Sequence, residues 1–138
     1  MQRTIRDIVT RDGVQQLQLS CGHRQTADAG AVVGAARDCL RCERFEMPED
    51  FVAYKRTPEF SETTVPAGLR RDHSTKPGVW ARIHVLEGRL RYRCEALHAD
   101  QELSAERPGV VVAEVLHAVE PLGAVRFYVE FHQAPPNS

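Results

Sequence analysis

The sequence predicts an all-β chain in two segments, and three observations lead there. From about residue 80 onward, apolar and polar residues alternate in short runs. Turn formers separate them: Lys76-Pro77-Gly78, Arg107-Pro108-Gly109 and Pro121-Leu122-Gly123. Runs at roughly 8–12-residue spacing are the pattern of a sandwich or barrel. Segments of helical period are absent from this part, which excludes an α/β fold. The first third instead places Asp12-Gly13 between two β-prone runs and holds three of the four cysteines, as a small β-hairpin module does. Met47-Pro48-Glu49-Asp50 marks the seam, because Pro48 disfavours a helix continuing through it. The predicted segments are residues 1–46 and 47–138.

The elements follow in order. Residues 4–10 and 14–20 form the first hairpin. Leu17 and Leu19 alternate with Gln16, Gln18 and Ser20, as in a strand with one wet face. Residues 27–37, rich in Ala and Gly, read as a loop or short helix. In the second segment, residues 81–86 make a strand, Glu87-Gly88 a turn, and residues 89–96 the clearest strand of the chain. There Leu90, Tyr92, Cys94 and Ala96 point one way, and Arg89, Arg91, Arg93 and Glu95 the other. Cys94 is thereby a small core residue, and Trp80 is expected in the core with Tyr92. The arginine stripe reads as a solvated face. Residues 110–112, 115–119 and 125–131 supply three more strands. His84, His98 and His132 are expected at the surface, and the tail 134–138 is expected to fray.

Composition excludes several function classes. The 138 residues carry 18 Lys+Arg and 19 Asp+Glu, a formal net charge of -1. No bulk basic excess exists to hold nucleic acid or an anionic membrane surface. The longest apolar runs, at 29–36 and 110–113, fall far short of the roughly 20 residues of a membrane helix. The charged start MQRTIRDIVTRDG has no apolar signal region, so the expectation is a cytoplasmic protein without a disulfide framework.

The cysteines carry the most specific signal. Fifteen residues separate Cys21-Gly22-His23 from Cys39-Leu40-Arg41-Cys42. Two tightly spaced soft pairs converge readily on one tetrahedral ion, and the two-residue gap of Cys39 and Cys42 is that of a zinc knuckle. Gly22 permits the bend the first pair needs. So short a segment buries too little apolar surface to fold alone, and a metal supplies the missing free energy, on the order of 10 kcal/mol. Four protein ligands close the coordination sphere, so this zinc is expected to be structural. A redox Cys-x-x-Cys is the competing reading, but the strand and helix context it needs is missing.

In the second segment, His117 shares a strand face with Val115 and Val119, and so points inward. The layout has two parts. Residues 80–92 form a hairpin through Leu86-Glu87-Gly88; residues 107–119 form a turn, a short strand, a bend and a strand with an interior histidine. This is the layout of a cupin barrel. More specifically, four stretches together resemble the tellurite-resistance TehB/YeaR-like cupin family. They are residues 47–60 (MPEDFVAYKRTPEF), Val65-Pro66-Ala67-Gly68-Leu69 with residues 72–80 (DHSTKPGVW), residues 114–121 (EVLHAVEP) and residues 126–131 (RFYVEF). The first segment is similar to a small zinc-ribbon-like module.

The resemblance implies one small cupin-like β-barrel of jelly-roll type, a divalent metal in it, and a link to tellurite or nitrosative stress. His73 and His117 fall on the family's positions and are the first candidates for that metal. Glu114 is preferred as third ligand over Glu130, whose strand parity turns it from the core. Imidazole suits zinc, iron or nickel, so the ion stays open. The His-x-His motif of a four-ligand oxygenase centre is absent, since Thr75 stands two residues after His73. The leading functional expectation is a metal-binding protein that takes a small molecule or oxyanion in the barrel. The alternatives are a non-catalytic ligand- or metal-sensing module and a metal-dependent dioxygenase or isomerase. Long edge strands predict a homodimer.

Overall fold

The computed structural model describes residues 1–136. The last two residues of the predicted frayed tail, Asn137 and Ser138, lie outside the described residues. The chain forms two compact units, Met1–Glu49 and a second from Asp50 onward.

In the first unit, β1 (Gln2–Arg11), β2 (Val14–Leu19), β3 (Arg24–Thr26) and β4 (Ala36–Asp38) make an antiparallel sheet of order β3-β2-β1-β4. The β1–β2 turn is Asp12-Gly13, with both residues at positive φ, 52° and 79°. That is the backbone twist a two-residue hairpin requires, and the reason Asp-Gly signals it. Alternation buries Ile5, Leu17 and Leu19 on one face. Residues 27–35 are a loop without a helix, pinned by the bidentate Arg37–Asp28 pair at 2.9 Å. One helical turn, α1 (Leu40–Glu43), closes the unit.

The second unit is built on one long strand pair. β7 (Trp80–Cys94) runs antiparallel to β10 (Ala118–Gln133) from His132↔Trp80 to Ala118↔Arg93. β5 (Val52–Arg56) and β6 (Phe60–Ser61) pair with β10, while β8 (Ala99–Leu103) and β9 (Gly109–Val111) pair with β7. The main pairing path is β5-β10-β7-β8. Among the described residues no pairing joins its ends, so the sheet is open and the expected closed barrel is not formed by its hydrogen bonds.

Leu86-Glu87-Gly88 is not a hairpin turn. β7 passes straight through it, because β10 accommodates the irregularity by a register shift between Pro121 and Val125. Gly88 sits at φ 79°, where a Cβ would overlap the Ala124 carbonyl oxygen. A second register shift, from Arg126↔Glu87 to Phe127↔Val85, leaves Leu86 as an extra residue in β7 and moves the inward parity by one. Ala81, Ile83 and Val85 are buried before it, and Leu90, Tyr92 and Cys94 after it. For the same reason Pro121-Leu122-Gly123 is a bulge within β10 and not a turn between strands. Residues 112–117 are a loop rather than the start of a strand, and residues 95–97 are a 3-10 turn that leaves Ala96 exposed. Trp80, Tyr92, Phe127, Leu90 and Ile83 dominate the core. On the solvated face, the arginine stripe meets a matching acidic set: Arg89–Glu102 at 3.3 Å, Arg91–Asp100 at 2.6 Å and Arg93–Glu120 at 4.0 Å.

Candidate functional site

In the first unit, the end of β2 and the α1 turn bring four soft ligands together. Gly22, at φ 98°, donates its N–H to the Leu19 carbonyl, and Leu19 donates to the His23 carbonyl. This tight knuckle turns the Cys21 thiol and the His23 ring to the same side. One helical turn does the same for Cys39 and Cys42. His23 Nδ1 lies 3.3 Å from Cys21 Sγ, 3.3 Å from Cys39 Sγ and 3.7 Å from Cys42 Sγ. Cys21 Sγ and Cys39 Sγ are 3.8 Å apart. With Zn–S near 2.3 Å and Zn–N near 2.0 Å, tetrahedral ligand edges are about 3.5–3.8 Å, so the spacing fits. All four residues are buried, and their ligand atoms lie within 4.8 Å of one another.

The surroundings prepare the donors. His23 Nε2–H donates to the Glu46 carbonyl at 2.6 Å, which leaves the Nδ1 lone pair facing the sulfurs. Arg3 Nε–H donates to Cys42 Sγ at 3.4 Å. The Cys42 thiol is brought down to about 4, by the hydrogen bond from Cys21 first, then by His23 and Arg3, against the effect of burial. Cys21 is pushed up by its bond to Cys42 and by burial, and Cys39 is raised mainly by burial. Burial and mutual contact thus work against ionising Cys21 and Cys39, and a bound cation is what would hold all three thiols ionised. The donor set and edges thus suit a tetrahedral metal such as zinc.

The second unit brings His73 and His117 together. The two form an isolated antiparallel bridge, each N–H donating to the other's carbonyl at 2.8 Å. Their rings meet edge to face at 5.6 Å, and His117 also stacks on Tyr92 at 5.9 Å. His117 is buried, which lowers its basicity; the Val115 carbonyl opposes this, and the neighbouring His73 adds to it. Its Nδ1 faces the Val115 carbonyl at 3.3 Å, leaving Nε2 as the free acceptor of a neutral ring. Both histidines line a pocket with about 420 Å³ of open space, mouth included, whose other walls are mainly apolar, Ile83, Phe127 and Val129 among them. Thr57 and Thr75 also line it, but their hydroxyls are taken up by the backbone, Thr57 donating to the Pro58 carbonyl at 2.9 Å and Thr75 to the Val79 carbonyl at 2.6 Å. Neither stands out in the sequence, because a threonine alternates as readily on a wet face as on a dry one.

Glu114 does not join the histidines. It is an exposed residue at φ 62° in the preceding loop. Among the described residues, Cys21, His23, Cys39 and Cys42 are the only set of three or more His, Cys, Asp or Glu with ligand atoms this close. Glu130 lies on the sheet face away from the pocket, as its parity predicts. It accepts hydrogen bonds there from His132 Nε2 at 2.8 Å and His84 Nε2 at 3.2 Å. His132 is accordingly buried, not solvated; alternation puts Glu130 on its face of β10, but the third member, His84 across the strands, is set by register.

The model of the TehB-like domain matches residues 55–129, more than half of the chain. The chain belongs to the TehB-like domain family. The matched span contains both pocket histidines and ends within β10. The uncharacterized protein YeaR of Escherichia coli strain K12 is 32% identical over 72 residues, which is 50% of this chain and 57% of YeaR. The chain thus spans little more than half the length of this relative. A crystal structure of a protein from the same strain aligns with a TM-score of 0.60 at 26% identity, covering 64% of this chain and 95% of that one. The structure of TehB from Haemophilus influenzae aligns at 0.57 and 24% identity, covering 62% of this chain but 32% of TehB, and shows likeness of fold alone. These alignments, like the family match, cover only part of the chain. No helix among the described residues is long and apolar enough to cross a membrane.

Proposed function

We propose that this TehB-like protein is a two-site metal binder. The first unit holds a structural zinc on Cys21, His23, Cys39 and Cys42. The second uses His73 and His117 to hold an exchangeable divalent ion that receives a small molecule or oxyanion in the pocket. The observation that carries the reading is the pairing of two imidazoles, one of them buried and neutral, at an otherwise apolar pocket. An ion held by two side chains keeps open positions at which a ligand is polarised. The family resemblance supports a role in chemical stress of the tellurite or nitrosative kind, within a cupin-type fold; the charged first residues favour the cytoplasm. The exposed edge strand β5 offers a surface for pairing with a second copy; light scattering should then give the mass of a dimer, and a monomer mass refutes it.

Metal analysis tests the central reading. Two ions per chain are expected, one removed by mild chelation. His117→Ala should lose only the exchangeable ion, and unchanged metal content in that variant overturns the assignment. A second reading follows from Glu114 standing apart from the histidines: the pocket takes a small organic molecule without an ion, as a sensing module would. One tightly held zinc with no exchangeable ion favours it over turnover of the dioxygenase or isomerase kind.

A further inference from the structure

Arg3 is a charged residue on the buried face of β1. Strand parity gives it the same side as Ile5, while Gln2 and Thr4 face solvent. It is 7% exposed. Arginine is among the residues least often found inside unless it is paired, and its position here is directed. Its backbone pairs with Arg37 of β4, the strand that leads into Cys39. From there its Nε–H reaches Cys42 Sγ, 39 residues away. A guanidinium carries five N–H donors, so this bond does not require the rest of the group to be idle.

The chemistry of the donor set gives this contact a purpose. A divalent ion bound by three thiolates and one neutral imidazole leaves one net negative charge, and all four ligands are buried here. A buried charge is costly without a counter-charge. We propose that Arg3 is the positioning residue and built-in counter-charge of the Cys21, His23, Cys39 and Cys42 centre. Its guanidinium remains donated to the Cys42 sulfur in the metal-bound state, and sets how tightly the ion is held and how readily it leaves. This inference rests on the metal-binding reading of the first unit.

The test compares Arg3→Lys, which keeps the charge, Arg3→Gln, which keeps an N–H donor, and Arg3→Met, which keeps neither. The intact chain is titrated with zinc against a chromophoric chelator, and with cobalt to read the thiolate-to-metal charge-transfer band. Loss of a partner supporting a metal ligand typically weakens affinity about 10–100-fold. Arg3→Met is expected in that range, Arg3→Gln between it and Arg3→Lys, and Arg3→Lys nearest the parent chain, with the cobalt band displaced in the two neutral variants. Arg37→Met, which removes the half-buried partner of Asp28, should leave affinity unchanged. Parent-like zinc affinity and cobalt spectrum in Arg3→Met overturn the inference while leaving the zinc site standing. Failure of the parent chain to bind zinc overturns both. If Arg3→Met does not fold even with saturating zinc, folding and loading of Arg3→Lys support the charge role; failure of Arg3→Lys as well assigns Arg3 to packing and overturns it.

Discussion

The two units hold themselves together by different means. The first gathers Ile5, Leu17 and Leu19 against four metal-type ligands, and its regular elements are mostly short. The second is organised by strands of 15 and 16 residues with Trp80, Tyr92 and Phe127 buried between elements. A unit of the first size lacks the core to fold on apolar burial alone, whereas the second buries enough large side chains to do so. In the first, the candidate site and the fold are the same object. In the second, the two histidines sit on a scaffold that other residues build.

The sharpest way to break this contrast is to remove the metal ligands. Cys39→Ser, or strong chelation of the parent chain, should abolish the ordered state of the first unit, since structural zinc contributes on the order of 10 kcal/mol. Amide dispersion in an NMR spectrum reads that loss. The only tryptophan, Trp80, lies in the second unit, so its fluorescence should keep the same urea midpoint. A common collapse of both signals would show that the second unit does not stand on its own core.

The next largest effect belongs to the second unit. Gly88→Ala places a Cβ into the Ala124 carbonyl at a residue held at φ 79°. The combined backbone strain and overpacking should cost about 2–4 kcal/mol. The Trp80 urea transition should move down accordingly, with zinc content unchanged. A midpoint within error of the parent would mean that the backbone at Ala124 moves away and that this close approach does not fix the β7–β10 pairing at Gly88.

The same contrast explains what could be read beforehand. The Cys/His cluster was legible because each half is local: a tight bend and one helical turn aim neighbouring residues at one point, and spacing records it. The hairpin at Asp12-Gly13 was legible for the same reason. The alternation of Leu90, Tyr92 and Cys94 gave the buried face correctly, but Gly88 carries two meanings. A glycine at positive φ serves a turn and a bulge equally, and only the partner strand decides. His117 has an inward parity of its own, but its pairing with His73 is visible only through the family's motifs, because the two meet through an isolated bridge. Glu114 looked like a ligand because it is near His117 in sequence; its left-handed backbone and exposure set it apart. The His84, Glu130 and His132 cluster stayed hidden, since it depends on the register of two strands 46 residues apart at the His84 contact.

That cluster provides the smallest of these effects and probes the outer face of the second unit alone. Burial by itself would raise the Glu130 carboxyl, but the hydrogen bonds from His132 and His84 hold it below its ordinary value. A carboxyl lowered in the folded state stabilises the fold above its unfolded value, about 4.3. That contribution is lost as pH falls through the lower, folded value. Glu130→Gln should therefore be slightly less stable than the parent at neutral pH, by about 1 kcal/mol or less for so partly screened a group. Its stability should also fall less steeply in the acid range. Urea midpoints from Trp80 fluorescence between neutral pH and the acid range check both points, and parallel acid limbs would mean that the imidazoles do not hold the carboxylate. Because the first unit's ligands take no part in this titration, zinc content at neutral pH should be the same in both proteins, which confines the effect to the face of β7 and β10 opposite the pocket.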